Sequence, residues 1–101
     1  MKRKKVKKIV GGKVYECIPL GKYVVNAPGV CRGRPTFKYT RIEVTRILKE
    51  VASGIPRIKL LAKYEGRISQ DAISEAFGLA AKALVEEVKM MLRARRKKNG
   101  R

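Results

Sequence analysis

Histidine is absent from this chain, and with it the usual general base of acid–base catalysis and the residue that most often completes a zinc site. Only two cysteines occur, Cys17 and Cys31. They form no CxxC pair, so both are expected to be reduced and partly buried. Acids are scarce, 8 against 26 lysines and arginines. No apolar run of useful length follows the basic N-terminus, which argues against export and membrane insertion and points to a cytoplasmic, nucleoid-associated protein. Gln and Asn are few while Lys, Ile and Val abound. That composition hints at an archaeal or thermophilic source, in which an intracellular disulfide stays open as an alternative.

These absences leave little room for an enzyme. Cys31 sits beside Arg32 and Arg34, which could lower its pKa. A cysteine-based phosphatase loop, however, wants an arginine six residues further on, and Phe37 stands there. Asp71, Glu75, Glu86 and Glu87 fall at helical positions suited to capping or to pairing with Lys82 and Lys89. The CRGRP segment lacks the GxxxxGK pattern and a following helix start, which excludes a nucleotide-binding loop. We expect no catalysis, no cofactor and no metal.

What is present is positive charge, a formal net +18 over 101 residues. Residues 1–10 carry six basic residues and no acid, and residues 89–101 carry seven and no acid. Thirteen basic residues share the body with all eight acids. A mildly basic body with two strongly basic ends calls for a polyanion. A chain of this length is expected to be one domain with a modest core, to which tails or a partner subunit should matter.

Ile9-Val10, Gly11-Gly12 and KVYECI read as a hairpin. Residues 19–22 and 26–29 are turns flanking a strand at Tyr23–Val25, and Thr36–Tyr39 is one more short strand. From Val44 the period changes. Val44, Ile47, Leu48 and Val51 line one face of a helix that ends at Ser53-Gly54. Pro56 opens a second helix with Ile58, Leu61 and Tyr64 inward. After the EGRI link, Ser69 caps a third helix whose stripe of Ile73, Phe77, Ala80, Leu84, Val88 and Met91 reaches about Arg95. Its second half would expose apolar surface on a monomer, so we expect it to pack on a partner subunit or on the N-terminal strands. The organisation is then a basic arm (1–8), strands and turns (9–43), a helical region (44–95) and a basic tail (96–101). The fold class is α+β, mostly α: short N-terminal strands before a trihelical helix-turn-helix core with a long last helix.

The run NAPGVCRGRPTFKYTRIEV, together with the helical segments after it, resembles the bacterial and archaeal family of unknown function number 433, described as VapB-type antitoxin-like. Pro28, Cys31, Gly33 and Pro35 match that family's lead-in. Thr40, Arg41, Ile42 and Val44 match its Thr-Arg-Ile-x-Val core. Ile47, Leu48, Gly54, Tyr64, Asp71, Ile73 and Ala76 match its helices. The resemblance spans about residues 23–80. It implies a homeodomain-like helix-turn-helix core, often dimeric, with DNA binding and, in some members, a toxin nuclease partner. It also favours a structural Arg41, ion-paired to Glu65 or Asp71. Two family glycines are replaced here, by Arg32 and Tyr39.

The function expected is therefore double-stranded DNA binding by a homodimer, largely through phosphate contacts. The residues expected to make them are Lys2, Arg3, Lys4, Lys5, Lys7 and Lys8 at one end and Arg93, Arg95, Arg96, Lys97 and Lys98 at the other. Arg32, Arg34, Lys38, Arg41 and Arg46 add to them from the body, with Gln70 and Ser74 on the third helix placed to meet bases. Two alternatives accompany this reading: an antitoxin-like protein that inserts RARRKK into a nuclease's acidic site, and an RNA- or ribosome-associated protein.

Overall fold

The computed structural model describes residues 4–99, with side chains through Arg95. Strands β1 (Val6–Val10) and β2 (Lys13–Pro19) form a hairpin closed by Gly11 and Gly12. Both glycines have positive φ, 57° and 79°, as a two-residue turn of this hand requires at both central positions. Strand β3 (Val24–Asn26) pairs with β2, and β4 (Thr36–Phe37) with β3, so the antiparallel order is β1-β2-β3-β4. Three helices come next: α1 (Val44–Ala52), α2 (Arg57–Lys63) and α3 (Gln70–Asn99). Helix α3 runs through Gly78 without a break and spans about 45 Å at 1.5 Å per residue.

Consecutive residues of β3 face opposite ways, as the two-residue period of a strand demands. Val24 joins Phe37, Ile42, Ile47, Leu60, Ile73 and their neighbours in the main core. Val25 turns to the other face with Cys17 and Ala27, under Tyr15 and Val30. Both cysteines are free thiols, Cys17 buried and Cys31 half-buried.

The helix-turn-helix expectation is overturned. The chain folds as a four-stranded antiparallel sheet followed by three helices, and the sheet is part of the core rather than a lead-in to it. Helix α3 packs on α1 and on β3. One side chain sets this geometry. Glu75 accepts hydrogen bonds from the backbone N–H groups of Lys22, Tyr23 and Val24, at 2.8, 2.7 and 2.9 Å. Burial alone pushes the Glu75 carboxyl up. The three N–H donors and the Lys22 charge outweigh that and hold it below the ordinary glutamate range. Gly21 lies against the same carboxylate, where any Cβ would collide with it. Glu75, read from sequence as a helix-surface acid, therefore clamps the start of α3 to the β2–β3 turn.

Smaller differences arise from packing. In α2, Leu60 is fully buried while Ile58 is 75% exposed. Tyr64, just beyond that helix, sets the inward face, because its hydroxyl donates to Glu50 of α1 at 2.9 Å and Lys63 pairs with the same carboxylate at 2.6 Å. Residues 6–8, expected in a basic arm, belong to β1, and α3 continues past Arg95. Ser69 does cap α3, its hydroxyl accepting from the Ala72 N–H at 3.1 Å.

Thr36 is fully buried, and its hydroxyl has no hydrogen-bond partner among the described residues. An unsatisfied buried hydroxyl is costly, whereas an isosteric methyl is not. Thr36→Val is therefore expected to raise unfolding free energy by about 1 kcal/mol. Urea denaturation checks it, and a loss of stability would mean that the hydroxyl finds a partner in solution.

Candidate nucleic-acid interface

The β1–β2 hairpin is the most exposed part of the sheet. Every residue of β1 is exposed, and β1 forms the outer edge. Cross-strand pairing sorts its side chains onto two faces. On one, Lys7 lies opposite Glu16, at 3.3 Å, and Lys5 reaches the same carboxylate at 3.9 Å. Ile9 and Val14, opposite each other near the tip, are 73% and 68% exposed. On the other face, Val6, Lys8 and Val10 lie opposite Cys17, Tyr15 and Lys13. Glu16 is thus the one acid in a ribbon carrying Lys4, Lys5, Lys7, Lys8 and Lys13. Exposed ion pairs of this kind contribute at most about 1 kcal/mol, so Glu16 holds Lys5 and Lys7 only loosely.

Where the hairpin meets the body, an aromatic and basic cluster forms. The Tyr15 and Tyr39 rings lie 5.1 Å apart at 59°. The Tyr39 N–H donates to the Tyr15 hydroxyl at 3.2 Å. Burial pushes the Tyr15 phenol up, and the Tyr39 N–H only partly offsets it, so this tyrosine stays neutral at physiological pH. The ammonium groups of Lys8 and Lys38 stand over the Tyr39 ring, at 5.3 and 5.4 Å from its centre. Tyr39 itself is held at φ 65°, in the left-handed region, at a cost of about 1 kcal/mol for a bulky residue.

The expected site residues do not form one surface. Lys2 and Arg3, and the side chains of Arg96, Lys97 and Lys98, lie outside the described residues. Lys4, Lys5, Lys7 and Lys8 share the hairpin, and Lys38 is brought to Lys8 across Tyr39. Arg34 is committed to Glu43 in a two-pronged pair, at 2.8 and 3.1 Å. Arg32 and Arg41 are exposed. Among the described residues, Arg41 pairs with neither Glu65 nor Asp71, which corrects the structural role expected for it. Its carbonyl instead accepts from the Cys31 thiol at 3.3 Å. Arg46 is exposed on α1. Gln70 is exposed, whereas Ser74 accepts from Arg57 at 3.2 Å. Arg93 and Arg95 are exposed near the end of α3. Sequence reasoning missed Lys13, which only strand pairing places beside the other hairpin lysines, and Tyr39. Its signal was a tyrosine standing where the resemblance has glycine.

Among the described residues no group of three or more acids or cysteines could hold a metal ion. No helix among them is long and apolar enough to cross a membrane. The sequence model of one family, described as "Protein of unknown function (DUF433)", matches residues 24–80, more than half of the chain. The chain belongs to the DUF433 family. No curated protein and no solved structure matches it. The DUF433 segment runs from β3 into the packed first part of α3. The lysine hairpin and the free half of α3 therefore lie outside it. Arg32 and Tyr39, which replace glycines of the resemblance, both have positive φ, 57° and 65°. Those positions favour glycine for backbone reasons, and this chain accepts strain to place an arginine and a tyrosine there.

Proposed function

We propose that this DUF433 protein is a nucleic-acid-binding protein that grips phosphates with its β1–β2 ribbon and with the basic end of α3. The observation that carries the reading is the ribbon itself. A two-stranded antiparallel ribbon fits the major groove of duplex DNA, and this one is fully exposed on β1 and rich in lysine. The same lysines guard an open sheet edge against self-pairing. Edge protection, however, needs one or two charges, and it does not account for a second basic cluster on α3. Binding is set by phosphate contacts, with Ile9 and Val14 available to touch base methyl groups at the tip. The test is fluorescence anisotropy with a labelled 20-base-pair duplex and with a structured RNA at one fixed salt concentration. Tighter duplex binding supports a nucleoid or regulatory role, tighter RNA binding moves the protein to a ribosomal one, and binding to neither sinks the proposal.

The same reading includes a homodimer. In α3, Ala81, Leu84, Val88 and Met91 follow the three-four spacing of a coiled-coil seam, flanked by Val85 and Leu92. In a single copy Leu84 is 67% exposed and Met91 62%, and the N-terminal strands do not cover them. A second copy buries this stripe, each large side chain giving up to about 1.5–3 kcal/mol before the cost of association. The double variant Leu84→Glu, Val88→Glu is expected to sediment as a monomer where the parent sediments as a dimer. A parent that is itself monomeric at high concentration turns attention to the second reading, an antitoxin-like helix that docks its stripe on a nuclease. In that case a small acidic nuclease should co-purify.

A further inference from the structure

The Tyr39 cluster carries more than phosphate binding. Four features converge there. Tyr39 is 43% exposed, although its ring packs on Tyr15. Two lysines distant in sequence, Lys8 in β1 and Lys38 in the turn after β4, stand over it. The residue is held at φ 65°, a backbone state that glycine would adopt freely and a tyrosine does not. The Tyr15 hydroxyl accepts the Tyr39 backbone N–H and ties that backbone to β2. Tyr39 thus stays partly exposed beneath the ammonium groups of Lys8 and Lys38.

We propose that Tyr39 is a stacking platform for an unpaired nucleobase, with Lys8 and Lys38 taking the phosphates on either side of that base. Aromatic faces accept any base, and flanking ammonium groups suit the backbone that carries it. The lysine–ring contacts are of the weak, exposed kind, so the lysines leave the ring for phosphates when a strand arrives. Duplex regions do not use the platform, because their bases are stacked on one another. The site therefore adds preference for single-stranded, frayed or flipped-out positions next to the ribbon. This proposal rests on the nucleic-acid reading above and goes beyond it, since phosphate gripping alone is blind to bases.

The test separates the two. The full chain is titrated with a fifteen-residue oligodeoxythymidine and with an oligonucleotide of equal length made of abasic sites, which keeps every phosphate and lacks the bases. The parent protein is expected to bind the thymidine strand about ten-fold more tightly than the abasic one. Tyr39→Phe keeps that preference. Tyr39→Gly, which suits the backbone at this position, abolishes the preference and leaves abasic affinity and salt dependence unchanged. An oligouridine arm shows whether RNA serves equally. If the parent binds both strands equally, or if Tyr39→Gly retains the preference, the platform is wrong while phosphate binding stands. If the parent binds neither strand at low salt, the platform is wrong, while the nucleic-acid reading stands or falls on the duplex and structured-RNA titrations.

Discussion

Replacing Lys5, Lys7, Lys8 and Lys13 together by alanine is expected to lower duplex affinity about a thousand-fold at ~0.1 M salt, because each phosphate contact adds nearly one unit to the log–log salt slope. The slope itself should fall by about 3.6. All four side chains are exposed, and Glu16 is the acid that engages Lys5 and Lys7, so the change should leave the fold intact. Arg34→Ala is the contrasting control. Its guanidinium is already bound to both oxygens of Glu43, so its loss should change affinity little. Anisotropy titrations from about 50 to 300 mM salt measure both numbers. A quadruple variant with the parent's slope would place the contacts elsewhere, on α3 or on the body.

Glu75→Ala should have the largest effect on stability. It removes a carboxylate that satisfies three backbone N–H groups at once, one exposed and two part-buried, and leaves them without that acceptor. Hydrogen bonds to a charged acceptor are the strong class, and a loss of about 3 kcal/mol is expected, with a fall in Tm of roughly 15 °C for a domain of this size. Glu75→Gln keeps the shape and loses the charge, so it should cost less. The effect also depends on pH in a defined direction. The carboxyl is held below its ordinary value of 4.5 in the folded state. Its stabilisation is thus complete above that ordinary value and fades as pH falls through the lowered folded value. Parent and Glu75→Gln should differ most in urea stability at pH 7, and the gap should narrow as pH falls below the ordinary carboxyl value of 4.5. A constant gap across that range would mean that the carboxylate is not the stabilising species.

The two variants probe parts of the protein that were unequally legible in the chain. Local signals read true. Gly11-Gly12 between alternating residues predicted the hairpin, and the glycines take the dihedrals such a turn needs. Val44, Ile47, Leu48 and Val51 predicted the inward face of α1, and Gly54 its end, at φ 101°. Ser69 predicted the cap of α3. Each depends on residues within one or two turns of one another, where propensity and periodicity act directly.

What failed to read was long-range. Three helices after strands suggested a trihelical helix-turn-helix core, because periodicity shows which face of a helix is apolar and not what that face meets. The sheet took part of that role through Val24 and Phe37, with Ile42 of the β4–α1 connection packed beside them. Ile58 looked inward on spacing alone, yet Tyr64 and Glu50 turn α2 the other way. Arg41 looked like half of a buried ion pair and is exposed, while the ordinary-looking Arg34 is the paired one.

By itself the sequence determined the basic charge, its concentration at the two ends, the hairpin, the three helices and the family segment. Charge and local periodicity are properties of the chain before it folds. Only the tertiary structure decided that Glu75 clamps α3 to a turn more than fifty residues earlier, and that Lys8 and Lys38 meet over Tyr39. Those contacts join residues with no shared period and no fixed spacing. They exist because sheet pairing and core burial bring distant backbones together, and no short window of sequence contains both partners.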